Sequence, residues 1–260
     1  MSKGKTIATI PARMASTRFP GKPLIDICGL TMIEHVWQRV RSNSKISSVY
    51  LVTCDQEIKN IAENFGAKVI MTSNKHTRCT DRVAEGCLKL LEEGDVFDVV
   101  LNIQGDEPLL NPETLDLLME PFCEEKSVSV VNLIEGLETE EEISNPNNVK
   151  VVFDKNNFAL YISRLPIPPG LTNKHYKQLG AYAFSREAII KYSEMDESPL
   201  EIAESVDMLR FMENGIPVKV VVSSHRTNGV DTPADHNKVC KLMENDEIFK
   251  KYKNLAGVVG

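Results

Sequence analysis

The sequence predicts an α/β protein: an open, mostly parallel central sheet with helices on both faces, plus a small antiparallel hairpin insert. Three observations carry that expectation. Short apolar runs alternate with segments of helical period through the first half of the chain, the pattern of successive βαβ units with right-handed crossovers. The run Phe97 to Ile103 is largely apolar and bounded by polar residues, which suits a central parallel strand covered on both faces. Further on, Val149 to Phe153 and Phe158 to Ser163 flank the polar stretch Asp154 to Asn157, a spacing for a hairpin and not for another crossover.

Taken in order, Thr6 to Ile10 is a short buried strand that feeds a loop at Pro11. Met32, Ile33, Val36 and Val40 recur at helical spacing after the Gly29 turn. Ser48 to Thr53 reads as a strand, followed by a helix with Ile58, Ile61, Ala62 and Phe65 on one face and Gly66 as its stop. Lys68 to Met71 is a brief strand, and Thr80 to Glu93 a helix that aligns Val83, Ala84, Cys87, Leu88 and Leu91. Asn111 and Pro112 form a helix start, a cap and then a first-turn proline. Ser127 to Ile134, Gly180 to Ser185 and Val218 to Val222 read as strands, with helices over Arg186 to Glu194 and Pro199 to Asn214 and a last helix from Thr232 and Pro233. No repeat, linker or low-complexity segment interrupts the chain, so a single domain over residues 1–260 is expected, with the hairpin insert at about 145–170.

With 260 residues, 42% of them hydrophobic, the chain is long enough to bury a large core, which removes disordered and fibrous classes. No apolar run approaches the ~20 residues of a membrane span, and Met1 to Lys5 lead straight into a strand without a signal-peptide core. A soluble cytoplasmic protein is expected, with no membrane partner. The six cysteines, Cys28, Cys54, Cys79, Cys87, Cys123 and Cys240, include no CxxC pair, so they read as free, mostly structural thiols. A net charge of −7 argues against nucleic acid as a partner. Against that acidic background Arg13, Arg18 and Lys22 fall within ten residues, a local concentration of cations that suits a small polyanion.

Ligands of open α/β sheets sit at the carboxyl ends of the strands, and three polar segments end strands here. The first, Pro11 to Pro23, combines small residues, which let backbone amides approach phosphate oxygens, with Arg13, Arg18 and Lys22, which can neutralise a triphosphate. It is not a Walker loop, and the chain contains no GxGxxG, so P-loop and dinucleotide-binding families are disfavoured. The second, Gln104-Gly-Asp-Glu-Pro108, places two adjacent acids at the end of the most apolar strand; a hard divalent cation would offset their desolvation. The third, Gly229-Val-Asp-Thr-Pro233, offers Asp231 just before a helix. Each acid alone also suits a turn or a cap; their conjunction with the basic loop favours metal binding.

PARxxSxRxPGKPL, QGDEP, ALYxSRxxIP, LGxYxF and GVDTP, in this order and over nearly the whole chain, resemble the 3-deoxy-manno-octulosonate (Kdo) cytidylyltransferase family. The resemblance implies a nucleotide-diphospho-sugar transferase-like fold, a homodimer, Mg²⁺ as cofactor, and CTP with a small acidic acceptor as substrates. By that resemblance Arg13, Ser16, Lys22, Thr80, Arg82 and Gln104 match nucleotide-side positions, and Asp106 and Asp231 would hold the metal. Arg18, Gln104, Arg164, Gln178, Tyr182, Asp207 and Met208 match acceptor-side positions. Lys22, Arg13, Asp106 and Asp231 would carry catalysis, by alignment and charge neutralisation as an acceptor oxygen displaces pyrophosphate from the α-phosphorus. No Ser, Cys or His nucleophile is needed. His35 and His236 lie on helix patterns as surface or packing residues, and His76 is a candidate nucleotide neighbour.

The chain departs from the family at several places. The usual histidine before LGxY is Gln178, the usual Glu-Gln before Leu-Arg is Asp207-Met208, and the usual Ser-Gly before Thr-Asp/Glu-Arg is Arg78-Cys79. The loop after Ile167 also lacks an arginine often found there. A buried polar contact to a sugar hydroxyl discriminates strongly, so these changes leave the acceptor open among Kdo, an amino-substituted Kdo, another keto sugar acid and a phosphonate. Two other readings compete: a non-catalytic nucleotide-binding relative, which would be expected to have lost Asp106, Asp231 or Lys22, and a NAD-type oxidoreductase, which would need the missing glycine fingerprint.

Overall fold

The computed structural model describes residues 4–15, 19–170 and 174–253. In chain order its elements are β1 (Thr6–Ala12), a 3-10 turn (Lys22–Leu24), β2 (Asp26–Ile27), β3 (Leu30–Thr31), α1 (Met32–Arg41), β4 (Ser48–Thr53), α2 (Gln56–Asn64), β5 (Lys68–Met71), α3 (Cys79–Glu92) and β6 (Val99–Ile103). There follow α4 (Thr114–Glu124), β7 (Val130–Leu137), α5 (Glu140–Ser144), β8 (Lys150–Phe153), β9 (Ala159–Ser163) and β10 (His175–Ser185). The chain ends with α6 (Arg186–Ser193), α7 (Pro199–Glu204), α8 (Met208–Glu213), β11 (Val218–Val222), α9 (Pro233–Met243) and α10 (Glu247–Lys253). Two compact units result, one of Met1–Leu115 with Thr227–Gly260 and one of Asp116–Arg226.

In the first unit β6, β1, β4 and β5 lie side by side, all parallel. Successive strands step outward from β1 to β4 to β5, and the chain then returns past β1 to lay down β6. With right-handed crossovers, that reversal puts α1 and α2 on one face and α3 on the other. It also makes the carboxyl ends of β1 and β6 a topological switch point, where open α/β sheets hold their ligands. All seven residues of β1 are buried, as a strand covered on both faces requires. A separate core of Ile27, Leu30, Met32, Val230, Val239, Met243, Phe249 and Tyr252 packs α9 and α10 against the small β2–β3 ribbon. His35 joins it: the Ile27 carbonyl, 2.7 Å from Nε2, can only accept, so Nε2 carries the proton and Nδ1 accepts from the Tyr252 hydroxyl at 2.6 Å. His35 is thus one of the packing residues the sequence implied.

In the second unit β11 runs parallel to β7 and β7 antiparallel to β10, with β8 and β9 continuing from β10 as an antiparallel pair. The expected hairpin is there: Lys150 pairs Ser163 and Val151 pairs Ile162, and Asp154 Oδ1 accepts the Asn156 and Phe158 amides across the turn. Two expectations shift. The strand expected to end at Ile134 runs to Leu137, because His175 to Gln178 of β10 extend the ladder along it; a partner 40 residues away in sequence leaves no local signal.

The single helix expected over Pro199 to Asn214 is two, broken at Ser205, which takes the left-handed conformation at φ +55. The break lets Arg210 Nε and Nη2 reach Glu201 Oε2 and Oε1 at 2.7 and 2.8 Å. On one continuous helix those nine residues would separate the pair by about 13 Å.

Candidate active site

Lys22 is delivered by backbone geometry. Gly21 sits at φ +70, a left-handed turn at which glycine carries no steric cost, and Lys22 then opens the 3-10 turn, with the Leu24 amide bonded to the Gly21 carbonyl at 2.9 Å. The second loop leaves β6 through Gly105, where a Cβ would meet Ile33 Cδ1 at 2.7 Å and the Pro11 carbonyl at 3.0 Å. Only glycine lets this loop lie so close to the end of β1, and the next residue is Asp106. The third loop is pinned to the second by the Val230 amide, which donates to the Asp106 carbonyl at 2.9 Å. Asp231 follows, and its amide donates to Asp235 Oδ2 at 3.2 Å. The same Asp235 oxygen accepts from the Thr232 amide and hydroxyl, while Thr232 caps α9 in a reciprocal capping box.

These three loops converge on one cation. Lys22 Nζ donates to Asp106 Oδ2 at 2.7 Å, to the Val230 carbonyl at 2.9 Å and to Asp231 Oδ1 at 3.2 Å. Burial works against the ammonium charge, but the two carboxylates more than offset it and hold the Lys22 pKa above its ordinary value. The lysine side chain is only 13% exposed, whereas Asp106 and Asp231 keep 28% and 37% of theirs open. The carboxylates therefore present oxygen to solvent as well as to Lys22. A donor set of two partly open carboxylates fits Mg²⁺, which binds through one or two carboxylates and fills its remaining positions with waters and substrate phosphates. Among the described residues no cluster of three or more His, Cys, Asp and Glu forms a self-sufficient metal cage.

The other expected positions fall into three sets. Arg13 is exposed just beyond β1, and the Met14 amide, donating to Asp55 Oδ2 at 2.8 Å, anchors the basic loop where it leaves the strand. Ser16 and Arg18 lie outside the described residues. Gln104 is partly buried at the start of the Asp106 loop.

Thr80 and Arg82 are both buried on α3. Arg82 reaches back to Thr72 Oγ1 at 2.7 Å and to the carbonyls of Ser73 and His76 at 3.2 and 3.3 Å, bracing the loop that follows β5. His76 is tied to Glu85. Burial would raise the Glu85 pKa, but hydrogen bonds from Lys89, the Ser73 amide and His76 bring it down to about 2. Arg78 and Cys79 stand at the entry to α3.

All the described acceptor-side positions except Gln104 lie in the second unit. Arg164 donates through Nε to the Glu204 carbonyl at 2.7 Å and through Nη1 to the Pro146 carbonyl at 3.1 Å, and its own amide donates to Glu204 Oε2 at 2.8 Å. Gln178 and Tyr182 flank an irregularity in β10. Asp207 precedes α8, and Met208, at its first turn, is fully buried. The side chain of Met208 is packed in this structure, and its thioether is only a weak hydrogen-bond acceptor, unlike the amide of the glutamine usual at that position.

Sequence reasoning missed Asp235, which orients the Asp231 loop, and Glu204, which organises Ser163 and Arg164. Asp235 had a signal, since Thr232 followed three residues later by an acid is a capping-box spacing; Glu204 had none.

This arrangement has relatives. Residues 7–222 match the family model described as cytidylyltransferase. The chain is 43% identical over 247 residues to the 3-deoxy-manno-octulosonate cytidylyltransferase of Fusobacterium nucleatum, with 94% of this chain and 99% of the relative covered. A protein of the same name from Thermodesulfovibrio yellowstonii is 43% identical over 242 residues, covering 88% of this chain and 94% of the relative. Among solved structures, CMP:2-keto-3-deoxy-manno-octonic acid synthetase complexed with CTP matches with a TM-score of 0.84 at 37% identity, over 92% of this chain and 98% of that one. Identity at this level, over nearly all of both chains, shows that the chain belongs to the 3-deoxy-manno-octulosonate cytidylyltransferase family.

Proposed function

We propose that this protein transfers CMP from CTP to 3-deoxy-manno-octulosonate and releases pyrophosphate, as a Mg²⁺-dependent cytoplasmic homodimer. The observation that carries the proposal is Lys22 held charged between Asp106 and Asp231 at the switch point of a parallel sheet, in a chain whose relatives are named for this reaction. In the reaction an acceptor hydroxyl oxygen gives up its proton to solvent and bonds to the α-phosphorus of CTP, the bond to the bridging oxygen breaks and pyrophosphate departs. Negative charge grows on that bridging oxygen, so fixed cations at the phosphates lower the barrier.

Lys22 supplies such a charge at neutral pH, because its raised pKa keeps it protonated, and exposed Arg13 supplies a second from the same loop. Asp106 and Asp231 would hold Mg²⁺, which when bound neutralises phosphate oxygens and aligns them for in-line displacement. The pinned loops keep both carboxylates in place before substrate arrives, so that alignment needs little reorganisation.

The cytoplasmic placement extends the absence of any helix, among the described residues, long and apolar enough to cross a membrane. For the homodimer, the β8–β9 hairpin is the contact we favour: β9 has a single ladder partner, β8, among the described strands, and Leu160 on it is 64% exposed, an edge that assembly would cover. Solution mass tests that part; a monomer at micromolar concentration would refute it.

Pyrophosphate release measured with CTP, Mg²⁺ and a panel containing Kdo, an amino-substituted Kdo, other ulosonic acids and phosphonates tests the reaction. Turnover of Kdo that stops on chelation and returns with Mg²⁺ is the expected result. No turnover of any acid, with CTP still bound, would point instead to a nucleotide-binding relative without activity.

A further inference from the structure

On β10 the pairing with β7 jumps from Gln178 opposite Ile134 to Tyr182 opposite Asn132. Leu179, Gly180 and Ala181 thus stand opposite Leu133 alone, and the two extra residues form a bulge that interrupts the ladder. Asn132 braces it. Its Nδ2 lies 3.3 Å from the carbonyls of both Leu179 and Ala181 and 3.0 Å from that of Leu133. The amide cannot be turned over, since Oδ1 in that place would face three carbonyl oxygens.

Oδ1 is therefore directed away from the bulge. It is buried, on a residue with no exposed surface, and has no hydrogen-bond donor among the described residues. A second oxygen shares this condition: Gln178 Oε1 is also buried without a donor. Because side chains directly opposite across a ladder, or two residues apart on a strand, share a face, Asn132, Ile134, Gln178 and Tyr182 all point from the same side of the sheet. Two orphaned acceptors flanking one bulge are costly unless a donor arrives.

We propose that Asn132 is a specificity-determining residue for the acceptor. Its nitrogen fixes the bulge between Gln178 and Tyr182, and its oxygen, together with Gln178 Oε1, accepts protons from the hydroxyl groups of a polyhydroxylated acid. This inference rests on the cytidylyl-transfer reading and adds a residue that no family motif marks. It also gives Gln178 a role: an amide oxygen is always an acceptor, whereas a given ring nitrogen of the histidine it replaces accepts in only one tautomer.

The test pairs variants with hydroxyl-deleted acceptors. Wild type, Asn132→Leu and Gln178→Met are assayed for pyrophosphate release with Kdo and with analogues that each lack one hydroxyl, and CTP affinity is measured separately. In wild type, deleting the matched hydroxyl is expected to lower kcat/KM by roughly 10- to 100-fold. In Asn132→Leu and Gln178→Met, kcat/KM for Kdo falls by a similar factor, mostly through KM, the matched analogue suffers no further loss, and CTP affinity is unchanged. Gln178→Met leaves the bulge carbonyls untouched and keeps the proposal falsifiable if Asn132→Leu does not fold. Variants that lose as much as wild type with every analogue would overturn the assignment while leaving cytidylyl transfer intact; a wild type that turns over no ulosonic acid would instead overturn the reading on which it rests.

Discussion

Lys22 and Asp106 stand 84 residues apart in the chain and 2.7 Å apart at Nζ and Oδ2. Asp231 completes the arrangement from 209 residues away. Either acid can still turn an oxygen outward, and Lys22 remains charged between them. Such a cluster favours a bound polyanion and a divalent cation together, and each member can be removed singly.

Asp106→Asn and Asp231→Asn are each expected to lower turnover by at least about a hundredfold while leaving the circular dichroism spectrum unchanged, because each keeps its shape and loses only charge. A near wild-type rate in either variant would remove that carboxylate from the proposed metal site. Lys22→Met is expected to lose turnover as well. The folded Lys22 pKa lies above its ordinary 10.5, so the lysine's contribution to stability is present throughout neutral pH and is lost only as pH rises past the folded value. No Lys22 titration should therefore appear in the neutral-pH rate profile.

Asp235 acts through Asp231. Its Oδ2 accepts three hydrogen bonds that shape the turn before α9. Asp235→Ala should cost about 1 kcal/mol of stability by breaking the capping box with Thr232 and lower kcat more than it changes the CTP dissociation constant. A variant with the stability loss but full kcat would limit Asp235 to capping.

Met208→Gln places an amide where the structure has no exposed surface. Without a partner the buried amide is expected to destabilise by about 1–3 kcal/mol, read as a lower thermal midpoint, with the acceptor panel unchanged. A stable variant whose preference moves toward Kdo would show that the position reads the acceptor after all.

His35 should make stability pH-dependent. Burial lowers its folded pKa from 6.5 to about 4, so the unfolded chain takes up a proton before the native one does. Stability falls as pH drops through that window, by about 3 kcal/mol for the whole interval, and this contribution falls no further below the folded pKa. Urea midpoints measured from pH 7 to pH 4.5 should show the slope in wild type and a shallower one in His35→Phe. Equal slopes would mean that another group titrates there.

Much of the fold was legible because its signals are local. Helical spacing located α1, α2 and α3 within a residue or two, and Thr232 with Pro233 marked the start of α9. The signals failed where a distant partner decided the outcome. β7 runs on to Leu137 because β10 pairs with it, and the chain turns left-handed at Ser205 so that Glu201 and Arg210 can meet. The site divided in the same way. Lys22, Asp106 and Asp231 were visible as charged residues ending strands, whereas nothing local distinguished Met208 as core or Asn132 as the brace of a bulge.

By itself the sequence determined the alternation of strands and helices, the three strand-end segments that carry charge, and the ordered motifs of a cytidylyltransferase. Periodicity, turn chemistry and charge type are properties of neighbouring residues, so they are written along the chain. Only the tertiary structure decided that one lysine binds both acids, that Asp235 shapes the turn that carries one of them, and that two amide oxygens on one face of a sheet have no donor among the described residues. Those are outcomes of strand order and register, which bring together residues 84 and 209 positions apart, and no local preference encodes a distance of that kind.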